Sequence, residues 1–129
     1  MAKKILLCED SAFFAQAISL ILKSGGYEVT VAPDGQQGVT ALRTPGPDGQ
    51  LQSFDLILCD IMMPVLDGYG VAQEIKSDET LNQIPLIFLT GVSDMDSMDR
   101  AMELGARDYF IKSNVSLDKI LDLVKKHIG

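Results

Sequence analysis

Basic residues are scarce relative to acids: 11 Lys and Arg stand against 18 Asp and Glu in 129 residues, a formal net charge of -7. A nucleic-acid face built from Lys and Arg contacts to phosphate is therefore not expected, nor is attraction to an anionic membrane surface. Histidine is represented once, by His127 near the C-terminus. That argues against a histidine-based catalytic triad or a zinc cluster, and His127 itself reads as a cation at a helix end. The cysteines number two, Cys8 and Cys59, both inside apolar runs rather than in a spaced framework. They read as small buried core residues, thiols of a reducing cytoplasm. Long hydrophobic runs are missing, so nothing approaches the roughly 20 apolar residues of a membrane span. The start, Met1-Ala2-Lys3-Lys4-Ile5, lacks an apolar region long enough for a signal peptide. A cytoplasmic chain without membrane insertion is expected.

What remains is ordinary globular composition, 47% hydrophobic and 22% charged. The length fits one domain over residues 1–129. Short apolar strands alternate with helical patterns. Ile5 to Cys8 is a continuous apolar run, as in a strand covered on both faces. Ser11 stands as an N-cap before Phe14, Ala17, Ile18, Ile21 and Leu22 at helical spacing, and Gly25-Gly26 stops that helix. Tyr27 to Val31 reads as a second strand, with Val29 and Val31 facing one way. A second helix runs from about Gly35 to Leu42. The 44–53 stretch is a long loop of turn residues, expected as a tolerated surface insertion. Phe54 to Cys59 is the third strand, and Asp67-Gly68 leads into a helix through Val71, Ala72 and Ile75. Pro85 to Leu89 is the fourth strand. Ser93 caps a helix carrying Met98, Ala101, Met102 and Leu104, closed by Gly105. Its methionines serve the core or an adaptable contact face. Tyr109 to Ile111 is a short fifth strand. The last helix starts near Ser116, with Leu117, Ile120, Leu121 and Val124 on one face.

Five strands alternating with five helices imply right-handed crossovers and an α/β, doubly wound, mostly parallel sheet. Ligands of such sheets bind beyond the carboxyl ends of the strands. Strand one ends in Glu9-Asp10, strand three in Asp60, strand four in Thr90 and strand five in Lys112. Three carboxylates, a hydroxyl and an ammonium thus meet at one edge. Close carboxylates repel and raise each other's pKa unless a cation shares the site, and Lys112 offsets only part of the charge. A hard divalent cation is the natural complement, and Mg²⁺ suits a few carboxylates plus a phosphate. The set reads as a phosphoryl-transfer site in which one carboxylate attacks phosphorus while Lys and Thr bind its oxygens.

These residues carry a resemblance. Asp60-Ile61-Met62-Met63-Pro64-Val65-Leu66-Asp67-Gly68, the apolar strand ending in Thr90-Gly91, Gly105 to Lys112, and the acidic pair Glu9-Asp10 together resemble the receiver domains of two-component response regulators. The chain looks like a single-domain, chemotaxis-type receiver. The resemblance implies a flavodoxin-like five-stranded sheet of order 2-1-3-4-5, an order described for chemotaxis receivers and taken from them. It implies Asp60 as the phosphoacceptor and Mg²⁺ held by Asp10, Asp60 and the Met62 backbone carbonyl, with Glu9 acting through a metal-bound water. Lys112 would pair with the phosphoryl group. Thr90 and Tyr109 would form the switch, the hydroxyl moving inward as the ring changes rotamer. The donor would be a histidine kinase or histidine phosphotransfer protein. The output would be a protein target on the face of helix 4, strand 5 and helix 5.

Two departures stand out. Ser113 follows the lysine where the family often has Pro, which affects the local loop geometry. Met62 and Val92 are apolar where the family modulates water attack, so they are expected to shield an acyl phosphate. An aspartate-nucleophile phosphatase would place a second acid at Met62, and a flavin carrier would replace the acidic, bulky Glu9-to-Phe14 segment with a phosphate loop. A receiver-like interaction scaffold that is not regulated by phosphorylation stays open as the alternative. No turnover of an external substrate is expected.

Overall fold

Strands and helices alternate along the chain as β1 (Lys4–Cys8), α1 (Ala12–Ser24), β2 (Glu28–Ala32), α2 (Gly35–Arg43), β3 (Leu56–Asp60) and α3 (Gly68–Lys76). A 3₁₀ turn at Leu81–Gln83 follows, and then β4 (Leu86–Thr90), α4 (Met95–Glu103), β5 (Asp108–Ile111) and α5 (Lys119–Ile128). The structure, a computed structural model, describes residues 2–49, 53–91, 95–112 and 117–129. The five strands form one parallel sheet in the order β2-β1-β3-β4-β5, as the resemblance implies.

Side chains alternate across a strand, so each strand feeds both faces. Leu6, Cys8, Ile57, Cys59 and Phe88 meet Val39, Leu42, Val71, Ile75 and Ala101 on the face covered by α2, α3 and α4. Ile5, Leu7, Leu58, Ile87 and Leu89 meet Ile18, Leu22, Ile120 and Val124 on the face covered by α1 and α5. Every position of β3 and β4 is buried, which only a sheet covered on both sides allows. Each fully buried aliphatic or aromatic side chain of this core contributes about 1.5–3 kcal/mol. Cys8 and Cys59 are free, buried and opposite each other in the β1–β3 register. The neighbouring Cys8 thiol, together with burial, holds the Cys59 thiol well above its usual range, so it behaves as an inert core group.

Helix starts follow their caps. Ser11 Oγ accepts from Phe14 N–H at 3.4 Å, Asp34 from Gln37 at 2.8 Å and Asp67 from Gly70 at 2.8 Å. Gly26 (φ 93°) and Gly105 (φ 94°) take the left-handed turn that ends α1 and α4. His127 lies in the last turn of α5, with Nε2 3.0 Å from Asp108 Oδ2 on β5.

Some boundaries differ from the sequence reading. The second strand starts at Glu28 because Tyr27 N–H still bonds the Leu22 carbonyl that closes α1, whereas Glu28 N–H joins Lys3 O on the ladder. The third strand begins two residues later and runs on through Asp60, which pairs with Leu89. Phe54 is buried in the core ahead of it. The fourth strand likewise runs through Thr90, and Pro85, which has no N–H to give the ladder, contributes only its carbonyl to Ile57. Val29 is half-buried but Val31 is exposed, because β2 is an edge strand. Ser93, Ser113, Ser116 and Val92 lie outside the described residues, as does the 50–52 part of the long loop. Residues 44–49 of that loop are mostly exposed.

Among the described residues, Tyr27 Oη is a buried side-chain polar atom with no hydrogen-bond partner. Leaving a buried hydroxyl unpaired costs about 1–3 kcal/mol. Tyr27→Phe is therefore expected to keep or raise stability, by up to about 1 kcal/mol, measured as the midpoint of urea unfolding.

Candidate functional site

The sheet delivers its charged residues by extending the ladder past the strand ends. Glu9 N–H bonds Ala32 O at 3.0 Å, one residue beyond β1. The alternation then turns Glu9 inward, 1% exposed, and leaves Asp10 exposed. Asp60, the last residue of β3, is 6% exposed, and Thr90, the last of β4, is 5% exposed. Lys112 N–H bonds Thr90 O at 2.7 Å and so carries the lysine to the same edge. All five strand-end residues expected from the sequence are thus brought together.

The centre of the site is an ammonium between two carboxylates. Lys112 Nζ lies 2.7 Å from Glu9 Oε1 and 3.2 Å from Asp60 Oδ2. Ser11 N–H donates to Glu9 Oε2 at 3.2 Å, so both oxygens of this buried acid are bonded. Burial raises the Glu9 pKa, and the Asp60 charge adds to that, against the lowering effect of Lys112. For Lys112, burial favours the neutral amine, but the bond to Glu9 and the field of Asp60 outweigh it and raise the pKa.

One lysine does not neutralise three acids. Carboxylate oxygens of Glu9, Asp10 and Asp60 all lie within 4.8 Å of one another. This is a set of hard oxygen donors with surplus negative charge, and it fits Mg²⁺ rather than a soft-ligand metal. Beside it opens a cleft of about 520 Å³ whose lining includes Asp10, Met62, Pro64, Tyr69, Thr90 and Arg100. The Met62 side chain is 74% exposed at this rim. Tyr109 is half-buried on β5, opposite Phe88 in register and packed against the core under α2, α3 and α4.

The start of α3 presses on the site. A Cβ on Gly68 would lie 2.5 Å from the Asp60 carbonyl oxygen and 2.8 Å from Ile61 Cα, so only glycine fits. Gly68 N–H bonds Ile61 O at 2.8 Å. The neighbouring Tyr69 spans the cleft wall. Its hydroxyl donates to Ser97 O at 3.3 Å, its ring meets Phe88 edge-on at 5.9 Å, and the Arg100 guanidinium sits 4.1 Å above it. Tyr69 and Arg100, on helices, and the amide of Ser11, the cap ahead of α1, escape a reading of strand ends alone. Phe14 was legible only as an apolar helix position, yet its ring lies 4.4 Å from Lys112 Nζ.

Comparison with known proteins gives the chain a family. The family model for the response regulator receiver domain matches residues 5–125. The chain is 38% identical over 110 residues to a probable transcriptional regulator, ycf27, of Cyanophora paradoxa, covering 85% of this chain and 42% of that protein. The chain therefore spans less than half the length of the curated relatives it matches. It superposes on the phosphorylated cyanobacterial phytochrome response regulator RcpA with a TM-score of 0.82 at 33% identity, covering 98% of this chain and 91% of that one. It also superposes on the receiver domain of sensor histidine kinase PA1611 from Pseudomonas aeruginosa, with a TM-score of 0.81 at 31% identity. That match covers 100% of this chain and 99% of the other, which carries a magnesium ion in its active-site cleft.

Removing the ammonium tests the electrostatics. Lys112→Met leaves Glu9 and Asp60 facing each other without a cation and is expected to cost about 3 kcal/mol at pH 7 in metal-free buffer. Glu9, already raised, moves further up in the variant. The penalty belongs to the ionised form, so it is present above the Glu9 pKa and fades as the pH falls through it. Urea midpoints of variant and wild type should therefore converge between pH 7 and pH 4.

Proposed function

The chain belongs to the response regulator receiver domain family, and from that premise we propose that Asp60 is its phosphoacceptor. Receiver domains of this family are phosphorylation-dependent signalling switches. The observation that carries the residue assignment is the pairing of the Lys112 ammonium with Asp60, a buried carboxylate beside two further acids. An Asp60 oxygen attacks phosphorus of a phosphohistidine on a histidine kinase or histidine phosphotransfer protein. The P–N bond breaks, and its electron pair leaves with the imidazole. Lys112 then turns from the Asp60 oxygen to a phosphoryl oxygen, and Thr90 supplies a hydroxyl to another.

Asp10, Asp60 and the Met62 carbonyl would hold Mg²⁺, with Glu9 acting through water. When bound, the ion neutralises charge developing on the phosphoryl oxygens. Water later cleaves the acyl phosphate, so the chain turns over no external substrate. Thr90 and Tyr109 form the switch, and the surface of α4, β5 and α5 meets a downstream protein. In support of an adaptable surface there, Met102 of α4 is 48% exposed. We read residues 1–129 as one receiver domain. With a net charge of -7 it makes no direct contact with nucleic acid, and it acts in the cytoplasm. Among the described residues no helix is long and apolar enough to cross a membrane. An unphosphorylated scaffold is the competing reading, and the same experiment excludes or supports it.

Intact-mass measurement after incubation with a small acyl-phosphate donor should show a single phosphoryl adduct with Mg²⁺ and none without it. Asp60→Asn should abolish the adduct. A folded wild type that takes no phosphoryl group, from this donor or from a phosphohistidine protein, would overturn the assignment. Met62 stands at the mouth of the cleft, and Met62→Asn should shorten the adduct's lifetime by admitting water, read from the decay of the same mass peak.

A further inference from the structure

We propose that Phe14 is a positioning residue for Lys112, its ring forming a third, neutral side of the lysine's seat. The inference rests on the role of Lys112 proposed above. Lysine carries its charge on a flexible four-carbon stem and pays rotamer entropy whenever it is held in one place. Here Nζ lies 4.4 Å from the Phe14 ring centroid, while Glu9 and Asp60 accept its hydrogen bonds. A cation within about 6 Å of a ring face is attracted by the ring's quadrupole.

The contact closes a circuit. Lys112 Nζ donates to Glu9 Oε1, and Glu9 Oε2 accepts from Ser11 N–H. Ser11 Oγ accepts from Phe14 N–H, and the Phe14 ring returns to Lys112. The acid, the helix cap and the ring are thus fixed by the same four residues. The ring is held from outside as well: Phe13, 72% exposed, meets it edge-on at 5.4 Å and 78°, and Phe14 packs against the core under α1 and α5.

The chemistry follows from the kind of contact. Asp60 loses its claim on the ammonium once a phosphoryl group arrives, because the phosphoryl oxygen competes for the same protons. The ring carries no lone pair and does not compete. It holds the ammonium at the site through the exchange of hydrogen-bond partners.

The test uses the full chain with Phe14→Leu, which is apolar without a ring, and Phe14→Tyr, which keeps one. Thermal midpoints are recorded for both, and Phe14→Met stands in should the leucine variant fail to fold. The Lys112 ε-methylene protons, assigned by their loss in Lys112→Arg, should be shifted upfield by the ring current in the metal-free wild type and in Phe14→Tyr. They should return to ordinary lysine positions in Phe14→Leu. Phosphorylation by the acyl-phosphate donor should slow by about three- to thirtyfold in Phe14→Leu and stay within about twofold in Phe14→Tyr. An unshifted lysine in the wild type, or a Phe14→Leu chain phosphorylated at the wild-type rate, would overturn the proposal. The proton shifts need neither metal nor phosphoryl group. A wild type that cannot be phosphorylated would therefore sink the assignment of Asp60, while the shifts alone still decide the ring contact.

Discussion

One largely buried ammonium, that of Lys112, braces the strand-end edge of this domain. Glu9 and Asp60 are both nearly inaccessible to water, and two carboxylates in that position cannot both stay ionised without a cation between them. Lys112 supplies it from just past the end of β5, two strands away from β3, across the intervening β4. The consequence reaches beyond the charges. The lysine ties the chain after β5 to the chain after β1, whose strands are not neighbours in the sheet. The carboxyl edge is thereby braced across its width by side chains, where the backbone ladder has ended.

The same edge is arranged for a charge it does not itself provide. Two acids are turned in and one is left facing solvent, with one lysine among them. This is a poor arrangement for stability alone, since a well-packed apolar edge would avoid the desolvation of charged groups. It is a good arrangement for receiving a small cation, because Lys112 offsets only part of the repulsion among the three acids and an arriving cation would relieve the rest. The structural cost and the chemical use have one origin.

Much of this was legible in the sequence, for identifiable reasons. In a parallel sheet ligands bind beyond the carboxyl ends of the strands, so the positions of Asp60, Thr90 and Lys112 at that edge could be found by locating apolar runs and reading what comes next. The limits were equally physical. Strand boundaries missed by one or two residues because the last ladder bond depends on the partner strand, as in the Asp60–Leu89 pair. Which member of Glu9-Asp10 turns inward depends on pairing with Ala32, which no local pattern contains. Phe14 and Tyr69 read as ordinary helix residues, since apolar spacing reports that a side chain is covered and not what covers it. The strand order came with the resemblance, because alternation alone is compatible with several orders.

Gly68 and Tyr69 are consecutive, and they face different neighbours. The first lies against the backbone of Asp60, too close to admit a side chain; the second reaches Ser97 and Arg100 on α4. One peptide unit therefore separates the floor of the acidic site from the helix on its far wall. The two positions are not geometrically independent: a shift of the first turn of α3 to accommodate a bulkier residue at 68 would also move the ring at 69 and its contacts on α4. The Gly68-Tyr69 pair thus links the backbone beside the acidic cluster directly to the outer helix α4.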